Sequence, residues 1–130
     1  MVGGKSMELN GREVNFTYNV LASLKVARLC PDGKLENIEQ LFGGTYDDDV
    51  TNTSKFMVAL NAGWIAAQKS QDPDFDVEPL TEDELMLLSS ADYLELQNEA
   101  VKAYEAGNRR SIHTKPVQTK GKKTAAKGKK

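Results

Sequence analysis

One cysteine, one histidine and one tryptophan are all that 130 residues hold of those three types. A single thiol, Cys30, cannot form a disulfide within the chain, and its neighbour Pro31 leaves no CxxC pair. Read as a small, half-buried apolar residue, Cys30 fits a reducing, cytosolic compartment. The single histidine, His113, lies in a polar, lysine-bearing stretch without acids. That removes Ser-His-Asp, Cys-His and His-based zinc arrangements in one step. No apolar run approaches the roughly 18 residues of a membrane span, and the N-terminus shows no apolar segment of the signal-peptide kind. A carboxylate pair is the one catalytic option left. The acids, however, cluster in loops and at helix starts, where they have structural reasons to be. The sequence therefore reads as non-catalytic, with no metal and no cofactor.

The net charge of −2 conceals an asymmetry. Over residues 1–108, eight Lys or Arg stand against all nineteen Asp or Glu, a balance of −11. Over residues 109–130 there are nine Lys or Arg and no acid, a balance of +9. An acidic domain followed by a basic tail points to a tail that meets something anionic. The organisation expected is a flexible N-terminus at 1–6, a globular domain at 7–108 and a disordered Lys-rich tail at 109–130. In the first segment, GGKS matches only the end of a phosphate-binding loop, without its earlier glycine or preceding strand.

Within the domain the organising stretch is Thr53 to Lys69, TSKFMVALNAGWIAAQK. Phe56, Leu60 and Trp64 recur every four residues, and Ala59, Gly63 and Ala67 form a parallel small-residue stripe. This predicts a central buried helix that another element approaches closely. Upstream, MELNGREVNF alternates around Asn10-Gly11, the strongest short hairpin signal. A helix is predicted over 17–29, capped by Thr17 or Asn19, with Leu21, Leu24 and Ala27 as its inner face and Val20 beside them. Pro31 ends it. A short helix follows over 34–42, stopped by Gly43-Gly44. Residues 45–52 read as a loop, with Thr51, Asn52 or Thr53 capping the central helix. The acidic loop 70–80 reads as solvated charge. Thr81 to Glu84 is a capping box. A kink or break is expected at Ser89 to Asp92. A last helix carries Tyr93, Leu96, Ala100 and Ala103 on one face and ends at Gly107-Asn108. The fold class expected is α+β and mostly α: one N-terminal hairpin, then four or five helices.

The order of these pieces, namely MELNGREVNFTYNVLASL, FMVALNAGWIAA and LTEDELMLLSSADYLELQNEAVKAYEAG, resembles the tail assembly chaperones of long-tailed bacteriophages, over roughly residues 7–107. That family's motifs are loose, and the acidic loops here have no place in its pattern. The resemblance implies a non-catalytic protein of the host cytoplasm, not retained in the mature virion. It implies binding to the tape measure protein, assistance to tail tube polymerisation, self-association, and a longer frameshifted form whose junction lies near the lysine-rich end.

Binding a long amphipathic client needs an apolar groove or patch. Six apolar residues that fall off their helices' main stripes are the surface candidates: Val26, Phe42, Tyr46, Met57, Ile65 and Leu94. The competing reading is a nucleic-acid-associated protein acting through Arg109, Arg110, Lys115, Lys120, Lys122, Lys123, Lys127, Lys129 and Lys130. These would bind phosphates without sequence preference and with steep salt dependence, and with no aromatics among them no base stacking is expected. The same tail would equally suit an acidic partner, its own body included. A hydrolase using loop carboxylates would instead show a saturable divalent-metal effect.

Overall fold

The computed structural model describes residues 7–108. A two-stranded hairpin is followed by four α-helices, an α+β arrangement that is mostly helical. Asn10 and Gly11 both take positive φ, 54° and 81°, as a two-residue Asn-Gly turn demands. The turn joins β1 (Met7–Leu9) to β2 (Arg12–Val14), with Met7 opposite Val14 and Leu9 opposite Arg12. Val14 is buried, while Met7, Leu9 and Phe16 pack against the core from its edge.

Helix α1 spans Val20–Leu29. Asn19 caps it, its Oδ1 accepting from the Ala22 amide at 3.0 Å while its Nδ2 donates to the Gly63 carbonyl at 3.0 Å. One side chain therefore starts this helix and moors it to another. The inner face is not the expected one. Ala22, Val26 and Cys30 are buried, whereas Leu21 and Leu24 are exposed and Val20 is 75% exposed. The close approach at Gly63 explains the choice. A Cβ there would stand 2.6 Å from the Thr17 carbonyl oxygen and 3.0 Å from the Ala22 Cβ. Only a small side chain on α1 fits that seam, and the leucines are turned away from it.

After a 3-10 turn at Pro31–Gly33 comes a 3-10 segment, Leu35–Leu41, where a short helix was expected. Gly43 and Gly44, at φ 91° and 80°, stop it. Helix α2 then runs from Tyr46 to Gln71 as one continuous element. The stretch 45–52, read as a loop from sequence, is its cap and opening turns. Thr45 caps it by accepting from the Asp48 amide at 3.0 Å, and Thr51, Asn52 and Thr53 lie inside the helix. Asp47, Asp48 and Asp49 occupy the first turn, where carboxylates oppose the partial positive charge of the exposed amides.

Helix α2 packs against α1, the 3-10 segment, α3 (Glu82–Met86) and α4 (Ser90–Gly107). Phe56, Leu60 and Trp64 are buried, and so are Ala59 and Gly63 beside them. Trp64 meets Phe75 of the acidic loop edge-on, with centroids 5.5 Å apart. Thr81 and Glu84 form both halves of the capping box on α3. The chain breaks before α4, where Ser89 accepts from the Asp92 amide at 3.1 Å. Gly107, in the last turn of α4, lies against Tyr18: a Cβ there would overlap the Tyr18 carbonyl oxygen. The strap from Thr17 to Asn19 is thus held between a glycine of α2 and a glycine of α4.

Two polar contacts tie the hairpin to the helices. Asn61, 1% exposed in the middle of α2, donates through Nδ2 to the Asn15 carbonyl at 3.0 Å. Its Oδ1 accepts from the Leu80 amide at 2.9 Å. Arg12 makes a two-pronged ion pair with Glu84, with both N···O distances 2.7 Å. It also donates to the carbonyls of Glu78 and Pro79 at 2.8 and 3.0 Å. Asn10 adds a third donor to Glu84 at 2.7 Å. The Arg12 guanidinium, helped by Asn10 and by the Thr81 amide, holds the Glu84 carboxyl down at about 2 from its ordinary 4.5.

Candidate functional site

The six apolar candidates divide evenly. Val26, Met57 and Ile65 are core residues, the first two wholly enclosed, and their expected place on the surface is corrected. Val26 belongs to the face of α1 that meets α2. Met57 and Ile65 lie on α2, which has neighbours on several sides, so residues off its main stripe still meet another element. Phe42, Tyr46 and Leu94 are exposed, Tyr46 at 81% and Leu94 at 55%. The tail candidates Arg109, Arg110, Lys115, Lys120, Lys122, Lys123, Lys127, Lys129 and Lys130, and His113 with them, lie outside the described residues. So does the GGKS stretch of residues 1–6.

The three exposed candidates converge on one groove. Two hollows adjoin along the face where α2 and α4 run side by side, sharing Asp49, Thr53 and Gln97 in their walls. The larger, about 540 Å³, takes Tyr46, Met86, Tyr93 and Leu94 into its lining. The smaller, about 370 Å³, takes Ile38, Phe42, Phe56, Val101 and Tyr104. Together they make a furrow whose apolar side chains are interspersed with Thr53, Ser90 and Gln97, and Glu39, Asp49 and Glu105 are among the residues that line it. Neither hollow has a lysine or arginine in its lining among the described residues.

The walls are held by ring contacts and hydrogen bonds. Phe42 meets Phe56 edge-on at 5.6 Å between centroids, and Phe56 meets Tyr104 at the same distance. The Tyr93 hydroxyl donates to the Val50 carbonyl at 3.2 Å and pairs with Ser54 Oγ at 2.9 Å. Burial pushes the Tyr93 phenol up from its ordinary value. Asp49 accepts from the Gly43 amide at 3.1 Å, which ties this carboxylate to the turn before α2.

Sequence reasoning missed Met86 and Val101 as members of this furrow. The signal for Val101 was present: Leu94 and Val101 are seven residues apart and share a face of α4. Met86 had no such mark, because its place depends on where the short α3 docks. No cluster of three or more His, Cys, Asp or Glu is placed to hold a metal among the described residues. The furrow can bury an apolar strip and attract cations.

Compared with protein-family models, curated proteins and solved structures, the chain has no match. The arrangement must be read on its own chemistry.

Proposed function

We propose that this chain is a non-catalytic tail assembly chaperone that binds the tape measure protein of a long-tailed phage in the host cytoplasm. In this reading it keeps its client soluble until tail tube protein polymerises around it, and is not retained in the virion. The observation that carries the reading is the furrow between α2 and α4, with Phe42, Tyr46 and Leu94 along it. An α-helix with its side chains is about 10 Å across, and a groove with apolar side chains along it suits the apolar stripe of such a helix. A tape measure protein, long and helical, offers that stripe many times over.

Co-expression of the full chain with the tape measure protein tests this. The client is expected to become soluble and to co-purify, and Tyr46→Ser with Leu94→Ser is expected to abolish both effects while leaving the chaperone folded. A client that stays insoluble beside well-folded full chain sinks the proposal. In that case, steeply salt-dependent retention on DNA by the full chain would favour the basic-tail reading instead.

A further inference from the structure

The turn that closes the hairpin also carries the group most open to covalent change. Of the eight asparagines only Asn10 is followed by glycine. We propose that Asn10 deamidates spontaneously, and that the carboxylate this creates loosens the latch between the hairpin and α3. Three observations meet at this turn. Glycine has no Cβ to shield its backbone nitrogen, so the Gly11 nitrogen is the least hindered nucleophile beside any asparagine amide of the chain. Asn10 and Gly11 are both exposed, so water reaches the reacting atoms. Among the described residues β1 and β2, three residues each, pair only with one another, and so short a hairpin opens locally while the rest of the domain stays folded.

The step balances with water as the sole co-reactant. The Gly11 nitrogen attacks Asn10 Cγ. The N–Cγ bond forms, the Cγ–Nδ2 bond breaks, and Nδ2 leaves as ammonia with the Gly11 amide proton. Water then opens the cyclic imide at either carbonyl, leaving an aspartate or its β-linked isomer. Either product has lost the donor that gives Glu84 Oε2 its hydrogen bond at 2.7 Å, and carries a negative charge in its stead. Arg12, which grips both Glu84 oxygens at 2.7 Å, must then serve two carboxylates. Like charges so close repel, and more so where water is partly excluded. The β-linked isomer also adds a backbone atom to a turn whose geometry sets the strand register. The effect reaches the furrow, because α3 brings Leu85 and Met86 into the lining of the larger hollow. Asp32-Gly33 can close the same ring, but from an acid, so its product carries no new charge.

Incubating the full chain in mildly alkaline buffer tests the site. Intact mass and peptide mapping should show the gain of an amide-to-acid exchange at Asn10 while the other asparagines stay unchanged. Asn10→Gly, which keeps a turn-forming residue, should gain none over the same period. A folded chain that stays unmodified while the isolated MELNGREV peptide converts overturns the proposal. So does conversion that falls first on another asparagine. The consequence is read on Asn10→Asp beside Asn10→Gly, since both lose the donor and only the first adds charge. The urea midpoint of Asn10→Asp should be the lower of the two, and its amide signals at Glu84, Leu85 and Met86 should shift from their parent positions. The difference in midpoint should close in the Glu84→Gln background, where the second carboxylate is gone. A difference of equal size in both backgrounds, or amide shifts confined to the turn, overturns the loosening. None of these measurements uses a client. Only the further step, a fall in client capture as the chain ages, rests on the chaperone reading, and a failed co-expression leaves the modification standing.

Discussion

The hairpin end and the furrow side of this domain are built on opposite rules. At the hairpin end the strong polar groups are held by specific partners: Arg12 grips Glu84 and two carbonyls, and Asn61 spans two backbone groups. On the furrow side Tyr46, Leu94 and Val101 stand in solvent, with Phe42 at the edge of the core. The first region spends its interactions on holding the fold. The second leaves apolar surface uncovered, which the proposed function explains as a surface kept for a client. The contrast predicts that substitutions at the hairpin end change stability with little direct effect on binding, and that furrow substitutions do the reverse.

The sharpest break comes at Asn61. Asn61→Leu strands the buried Leu80 amide, at about 1–3 kcal/mol, and also removes the donor to the half-buried Asn15 carbonyl. The urea midpoint should fall further than for Gly63→Ala, Glu84→Gln or either furrow variant. Gly63→Ala comes next, at about 2 kcal/mol, because the new methyl group meets backbone oxygen and a helix interior cannot fray away from it. If Gly63→Ala were as stable as the parent, the close seam between α1 and α2 would be refuted.

Glu84 adds a pH dependence with a definite sign. Its carboxyl is held at about 2 in the folded chain, below its ordinary 4.5. Its contribution is therefore complete above about 4.5 and is lost as pH falls through the folded value near 2. Glu84→Gln should lower stability by about 2 kcal/mol near neutrality and by much less at about pH 3. A gap between parent and variant that stays constant in urea melts across that range would contradict the ion pair. The smallest stability effect belongs to the furrow. Tyr46→Ser and Leu94→Ser should each shift stability within about 0.5 kcal/mol, and the same pair should abolish client capture in co-expression.

Much of the fold could be read from the chain because its signals are local. Asn10-Gly11 dictates its turn whatever surrounds it, the Thr81 and Glu84 box closes within three residues, and Ser89 restarts a helix in the same way. The start of α2 was ambiguous for an equally local reason. Capping side chains occur at both Thr45 and Thr51–Thr53, and the glycine pair just before Thr45 favours the earlier one. The inner face of α1 was not readable. Leucines at 21 and 24 outweigh Ala22 in any count of hydrophobicity, yet the seam at Gly63 has room only for the alanine. Arg12 with Glu84, and Asn61 with Leu80, are tertiary pairings without periodicity, so nothing in the linear order announces them. The furrow was half legible. Exposed Tyr46 and Leu94 are marked by lying off their stripes, but the same mark on Met57 and Ile65 fails on a helix enclosed from several sides.

The strap clasped by Gly63 and Gly107 bears on how the chain comes to be folded. Tyr18 is synthesised early and Gly107 at the far end of the domain, yet the two touch, and the Tyr18 and Tyr104 rings lie 4.6 Å apart. Loop closure between such distant partners is slow and must wait for both. While the ribosome is still translating α4, the strap has only one of its two jaws. Truncation before Tyr104 should therefore leave a nascent species that is collapsed but not locked. The domain completes itself at the moment its C-terminal helix is released, and the basic segment is the next part of the chain to emerge.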